Sequence, residues 1–240
     1  MKRFYVIGVA LVAVLAFSAL AAASASATFL LAEWLLNGVA IPAGQTDTVE
    51  IAGELLLEDK EGVAIIGHAM VLCSGIFVGT VTSESLDTVT EVLSLEKTAP
   101  PILCPVQEGC ESSTATADVS PVGLPWETEA ELFEQAGTTV FVDLIRKGTE
   151  KVGWKLENCL VFGLPQTDEC TTTTEGISEL SLEGTTLIGS FSPALNALTA
   201  TKLAKCSASS AAESGVVEGS GAFMVGGGGE LTASSETAVS

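Results

Sequence analysis

Apolar and polar residues alternate with a period of two along most of the chain after residue 28, the pattern of half-buried β-strands. Over residues 48–58, Val49, Ile51, Leu55 and Leu57 fall on one face, and Glu50, Glu54 and Glu58 fall on the other. That spacing predicts a strand with an apolar inner face and a solvated acidic outer face. Glu58-Asp59-Lys60-Glu61-Gly62 predicts a turn, and an almost wholly apolar strand follows over 63–73. Strands are predicted next over 75–82 and 89–96, separated by the break Ser83-Glu84-Ser85-Leu86-Asp87.

Pro100, Pro101 and Pro105, with two cysteines, predict a pinned loop over 98–113, and 120–125 reads as a second Pro/Gly break. Trp126, Thr128, Ala130 and Leu132 then alternate with Glu127, Glu129 and Glu131, which predicts a strand with an acidic solvent face. A turn at Gln135-Ala136-Gly137 leads into 138–146, where Val140, Val142 and Leu144 share a face. Val152, Trp154, Leu156 and Leu160 continue the alternation. Arg146, Lys147, Lys151 and Lys155 are expected to face the glutamates at 127, 129 and 131 as cross-strand charge pairs. Shorter strands are predicted over 177–182, 186–191, 203–207, 216–225 and 230–234, and one or two helical turns within 193–204. The pattern as a whole predicts an all-β fold, an antiparallel sandwich or barrel-like domain.

The first 27 residues follow another rule. Lys2 and Arg3 precede an uncharged apolar run that ends in Ala25-Ser26-Ala27, an export signal with cleavage expected before Thr28. Retention as a signal anchor is the alternative, since the run is long enough to span a bilayer. Residues 28–240 are then expected to form one β-rich domain, with a subdivision near 98–125 as the alternative. No second long apolar run follows, so no membrane contact is expected after cleavage. Leu164-Pro165-Gln166-Thr167 has the start of a sortase signal but continues with Asp168 and lacks an apolar tail, so it reads as a turn.

The chain carries 30 acidic and 10 basic residues, a formal charge of −20. Loss of Lys2 and Arg3 leaves 8 cations against 30 acids, or −22. That balance argues against nucleic acid and against anionic membrane surfaces, both of which need clustered Lys and Arg.

Cys73, Cys104, Cys110, Cys159, Cys170 and Cys206 make an even set, which in an exported chain points to disulfides. Zinc knuckles need paired C-x₂₋₄-C spacings or histidine partners, whereas the close spacings here are Cys104 to Cys110 and Cys159 to Cys170 and His68 is the sole imidazole. Of the 15 possible connectivities, sequence proximity favours Cys104–Cys110 and Cys159–Cys170, leaving Cys73–Cys206.

Catalytic signals are sparse. His68 is the sole imidazole and sits in Ile65-Ile66-Gly67-His68-Ala69-Met70, with no G-x-S-x-G motif to supply a nucleophile. Four acids stand off the regular glutamate ladders: Asp118, Asp143, Asp168 and Glu169. Paired carboxylates of this kind serve glycosidases. Asp143 interrupts the face of 138–146 that carries Phe141 and Ile145, so it reads as a buried functional acid or as a partner of Arg146 or Lys155. No metal ligand set and no cofactor motif is found. Calcium is the small ligand best suited to an acidic exported chain, yet no D-x-D-x-D-G loop is present. Residues 226–229 form a glycine tip with no Lys or Ser/Thr after it to bind phosphate, and no N-glycosylation sequon occurs.

Several short segments together carry a resemblance. They are Glu33-Trp34 with Asn37-Gly38, Val71-Leu72-Cys73-Ser74-Gly75, Leu124-Pro125-Trp126-Glu127-Thr128, Asp168-Glu169-Cys170 and Glu218-Gly219-Ser220-Gly221. In these the chain resembles a group of uncharacterised exported, disulfide-containing β-rich proteins of actinobacteria. The resemblance implies an exported β domain with the pairing above and transfers no activity or site. The expectation is therefore a secreted or cell-envelope structural or binding module, with a cell-wall or protein partner. An envelope-glycan hydrolase or lyase is the alternative.

Overall fold

The computed structural model describes residues 28–42, 44–60, 68–82, 85–111, 115–135, 138–146, 152–172, 176–192, 205–207 and 214–235. The expected export signal and the expected helical turns within 193–204 lie outside these residues.

All regular structure among the described residues is β. The chain opens with β1 (Thr28–Leu36) and β2 (Val39–Ala40), then runs through β3 (Thr46–Asp59), β4 (Ala69–Thr82) and β5 (Leu86–Ser94). Next come β6 (Ile102–Glu108), β7 (Thr116–Val122), β8 (Trp126–Gln135) and β9 (Thr138–Arg146). They are followed by β10 (Val152–Val161), β11 (Leu164–Thr172), β12 (Gly176–Glu183) and β13 (Thr186–Phe191). The last are β14 (Lys205–Cys206), β15 (Gly215–Val225) and β16 (Leu231–Ser235).

Eight of these strands close into an antiparallel barrel. In chain order β3, β4, β5, β8, β9, β12, β13 and β15 each pair with the next, and β15 returns to β3. The barrel is thus an up-and-down meander with insertions, and closure removes the open edges of a sandwich. The insertions β6–β7 and β10–β11 join β14 in a second antiparallel sheet, ordered β6-β7-β10-β11-β14. This flanking sheet continues from β4, where Met70 and Val71 pair with Glu108 and Val106.

The alternation of β3 is realised in the barrel. Val49, Ile51, Leu55 and Leu57 share the inner face, and a second inner row comes from Phe223 and Val217 of β15. One end of the barrel is filled by Trp34, Val49, Val81, Leu180, Leu187 and Phe223, with the Trp34 and Phe223 ring centroids 6.1 Å apart. β1 and β16 cap that end. At the other end Leu57, Val71, Val89 and Trp126 pack with Ile102, Val119, Trp154 and Leu156 of the flanking sheet in one core.

Several expectations are corrected. Residues 102–108 form strand β6, where a pinned loop was expected. Ile102, Cys104 and Val106 alternate inward there, while Leu103 and Pro105 face out, and burial of that row outweighs the proline signal. β7 likewise carries the chain through Val122, so the second break shrinks to Gly123–Pro125. The turn expected at 164–167 is Phe162-Gly163, and Leu164-Pro165-Gln166-Thr167 lies in β11.

The acidic face of β8 is not uniformly wet. Glu127 is exposed, but Glu129 and Glu131 are 8% and 4% exposed, on the side of β8–β9 that also buries Phe133, Val142 and Leu144. Alternation identifies side chains that share a face; it does not say whether that face is covered. Lys155 also departs from its expected role, because its ammonium donates to Glu157 at 2.6 Å on its own strand. Arg146 stands opposite Glu127 in the β8–β9 register, and Lys147 and Lys151 lie outside the described residues.

All six cysteines are oxidised, but the expected pairing is overturned. The bonds are Cys73–Cys104, Cys110–Cys159 and Cys170–Cys206. An extended chain rises roughly 3.3 Å per residue, so the strand from Cys104 toward Cys110 separates them by far more than the ~7 Å that a disulfide tolerates. Cys170 stands opposite Trp154 on one side and Cys206 on the other, and Cys159 lies beyond a bulge in the same hairpin. Cys73 and Cys206 are kept apart by the intervening strands of the flanking sheet. Three disulfides are consistent with an oxidising, extracellular location.

Candidate functional site

Where the barrel meets the flanking sheet, the packing leaves a cavity of about 200 Å³. A sequence feature invisible along the chain creates it. Gly189, Gly221, Gly53 and Gly75 stand in direct register across β13, β15, β3 and β4, and all four line the cavity. A row of four inward positions thus carries no side chain. The strands also pack too closely there for any other residue. A Cβ on Gly53 would lie 2.2 Å from the Ser220 carbonyl oxygen, and one on Gly221 would lie 2.8 Å from Ile51 Cγ2.

The remaining wall is mostly apolar. Leu55, Phe77, Val89, Trp126, Ile145 and Trp154 supply much of it, with the Phe77 and Trp126 rings tilted and their centroids 6.2 Å apart. Trp126 is anchored by its indole N–H, which donates to the Val122 carbonyl at 2.8 Å. No Lys, Arg or His lines the cavity among the described residues.

Three buried polar atoms on this wall lack a hydrogen-bond partner among the described residues: Asp143 Oδ1, the Thr128 hydroxyl and the Trp154 indole nitrogen. Asp143 is placed by the register of β9, opposite Ala130 on β8 and Ser178 on β12. Burial raises its carboxyl to about 6. The Thr128 hydroxyl and the Glu129 backbone oppose that shift, the hydroxyl without closing a well-formed hydrogen bond.

Asp87 is a buried acid at the end of the polar segment Ser83-Glu84-Ser85-Leu86-Asp87, which predicts a break and not a strand. It lies in β5, opposite Thr128. Burial, and then the charge of Asp143, push its carboxyl well above the usual carboxylate range. The signal was available, since Asp87 precedes Val89 by two and shares its inward face. A bulge follows between Val89 and Glu91, so that Val92 faces the core.

The other candidate acids are dispersed. Asp118 on β7 accepts a hydrogen bond from the Asn158 side-chain amide. Asp168 is buried and accepts from the Ser207 hydroxyl at 3.1 Å, and the Ser207 Oγ in turn accepts from the Glu169 backbone N–H at 2.9 Å. Asp168 also lies close to Cys170 and Cys206, but the two sulfurs are bonded to each other and offer no thiolate to a metal. His68 is clasped between carboxylates, with Nε2 2.6 Å from Glu58 Oε1 and Nδ1 3.3 Å from Glu108 Oε2. Its half-exposed ring does not line the cavity. Of the four acids singled out by sequence, Asp143 alone reaches the cavity.

The chain matches no protein-family model, and no curated protein or solved structure shows significant similarity to it.

Proposed function

We propose that this protein is an exported, non-enzymatic binding module of the cell envelope or extracellular space, whose barrel holds a small apolar molecule. The observation that carries this reading is the glycine-lined cavity inside a closed eight-stranded barrel. Barrels of this size have interiors just wide enough for their own side chains or for one small ligand. Four inward glycines tip the balance toward a ligand. The volume is below the roughly 300–1,000 Å³ of drug-sized sites, so the occupant is compact. The signal-like first 27 residues and the three disulfides support export.

The glycan-hydrolase alternative has less support. Glycans call for polar walls and two carboxylates converging on one cleft. Here the wall is mostly apolar, and the acid that interacts with Asp143 is Asp87, which does not line the cavity.

Trp126 and Trp154 both line the cavity and serve as built-in reporters. Titration of the oxidised protein with benzyl alcohol is expected to give a saturable change in tryptophan fluorescence. Val217→Phe, which fills the cavity, is expected to abolish it. No saturable change in the native protein, or an unaltered one in a folded Val217→Phe variant, overturns the reading.

A further inference from the structure

A buried acid on the wall of a mostly apolar cavity is a costly arrangement unless something meets it. An unsatisfied buried polar group costs on the order of 1–3 kcal/mol, and an unpaired buried charge costs more. Asp143 is 6% exposed and Thr128 is 1% exposed, and each presents an orphan oxygen among the described residues. The groups facing Asp143 from neighbouring strands are Thr128 and Ala130 on β8, Ser178 on β12 and, beyond Thr128, Asp87 on β5. None is a cation, and a second acid lies close by.

Each class of ligand head meets this wall differently. A carboxylate or phosphate is repelled by the Asp143 carboxylate, and no cation on this wall offsets that repulsion. A neutral hydroxyl satisfies one hydrogen bond but leaves the charge unmatched. An ammonium donates to both the carboxylate and the hydroxyl and neutralises the charge.

We propose that the barrel takes a compact apolar amine, with its ammonium head on Asp143 and Thr128 and its hydrocarbon or aromatic body against the apolar wall. This rests on the barrel being an apolar binding site. It adds the sign of the ligand's charge and the residues that read it. The raised pKa of Asp143 agrees with a carboxylate short of a counter-charge. Binding is then strongest above pH 6, where Asp143 is ionised, and weakens below it.

Three probes with one body and different heads test the proposal: benzylamine, benzyl alcohol and benzoate. Each is titrated calorimetrically at pH 7.5 into the oxidised native protein, Asp143→Asn and Glu127→Gln. Glu127 is exposed and outside the cavity, so Glu127→Gln corrects for the general attraction of an acidic protein for amines. Benzylamine is expected to bind at least about tenfold more tightly than benzyl alcohol, the scale of one charge-assisted hydrogen bond, and benzoate not to bind. Asp143→Asn is expected to remove that preference and leave benzyl alcohol unchanged, while Glu127→Gln retains it. Asp143→Ser replaces the asparagine variant should the latter fail to fold. Equal binding of the amine and the alcohol, or a preference that survives loss of Asp143, overturns the amine proposal and leaves the apolar site standing. Failure of all three probes overturns both.

Discussion

The charge of Asp143 on β9 raises the proton affinity of Asp87 on β5 across the single strand β8 that separates them. Both carboxyls are buried, and Thr128 of β8 stands directly opposite Asp87. Between about pH 4 and 6 the folded barrel therefore holds a proton on Asp143 that the unfolded chain has released, and the carboxyl of Asp87 is shifted in the same direction.

The sign of the resulting pH dependence follows. The carboxyl of Asp143 rises from an ordinary 3.8 to about 6 on folding. Below about pH 4 both states are protonated and no penalty exists. Between pH 4 and 6 the unfolded chain releases the proton first, and stability falls as pH rises through that window. The loss is on the order of a few kcal/mol. The unliganded protein is expected to unfold at higher temperature at pH 4.5 than at pH 7.5. In Asp143→Asn the midpoint at pH 7.5 should rise and the difference between the two pH values should shrink. Calorimetry at both pH values measures this, and a slope unchanged by the substitution contradicts it.

The glycine row predicts an asymmetric response to a single methyl group. Gly53→Ala places a Cβ against the backbone of β15, which cannot move aside as a side-chain tip can. The expected cost is about 1–3 kcal/mol. Gly184→Ala, at a surface turn with open space but φ of +67°, should cost about 1 kcal/mol by backbone strain alone. Urea denaturation of both variants separates packing from turn strain.

Disulfide mapping offers a yes-or-no test. A non-reduced digest is expected to yield peptides joining Cys73 to Cys104, Cys110 to Cys159 and Cys170 to Cys206. The Cys110–Cys159 bond spans 49 residues, the longest separation of the three. Its removal as a double alanine variant should cost about 4 kcal/mol in the chain-entropy account.

Two neighbouring glutamates are expected to differ sharply. Glu129 is buried and accepts from the Ser85 hydroxyl at 3.0 Å, whereas Glu127 is exposed. Glu129→Ala should cost about 1–3 kcal/mol through lost hydrogen bonding and packing. Glu127→Ala should stay within about 0.5 kcal/mol. Thermal denaturation of the pair checks whether the outer face of β8 is as covered as its burial indicates.

The alternating pattern was a sound guide to strands because it reflects a local rule: side chains two apart share a face. It located β3, β8, β9, β12, β13 and β15 and placed Asp143 on the face of Phe141 and Ile145. It failed where local signals competed. Prolines masked β6, and Asp87 was lost in a break because it ends the polar run that begins Ser83-Glu84-Ser85.

Composition and periodicity therefore determined, without coordinates, that this is an acidic, cysteine-bearing, antiparallel all-β chain. The choice of a closed barrel over a sandwich was decided by the return pairing of β15 onto β3, a contact between segments more than 150 residues apart in the chain. Disulfide partners followed from strand order, since an extended strand moves neighbours in sequence apart in space. The cavity depended wholly on tertiary structure. Gly53, Gly75, Gly189 and Gly221 have no common spacing, and only the registers of three strand pairs bring them into one row. Register is set by the fit of whole inner faces to one another, and that fit exists only in the assembled barrel.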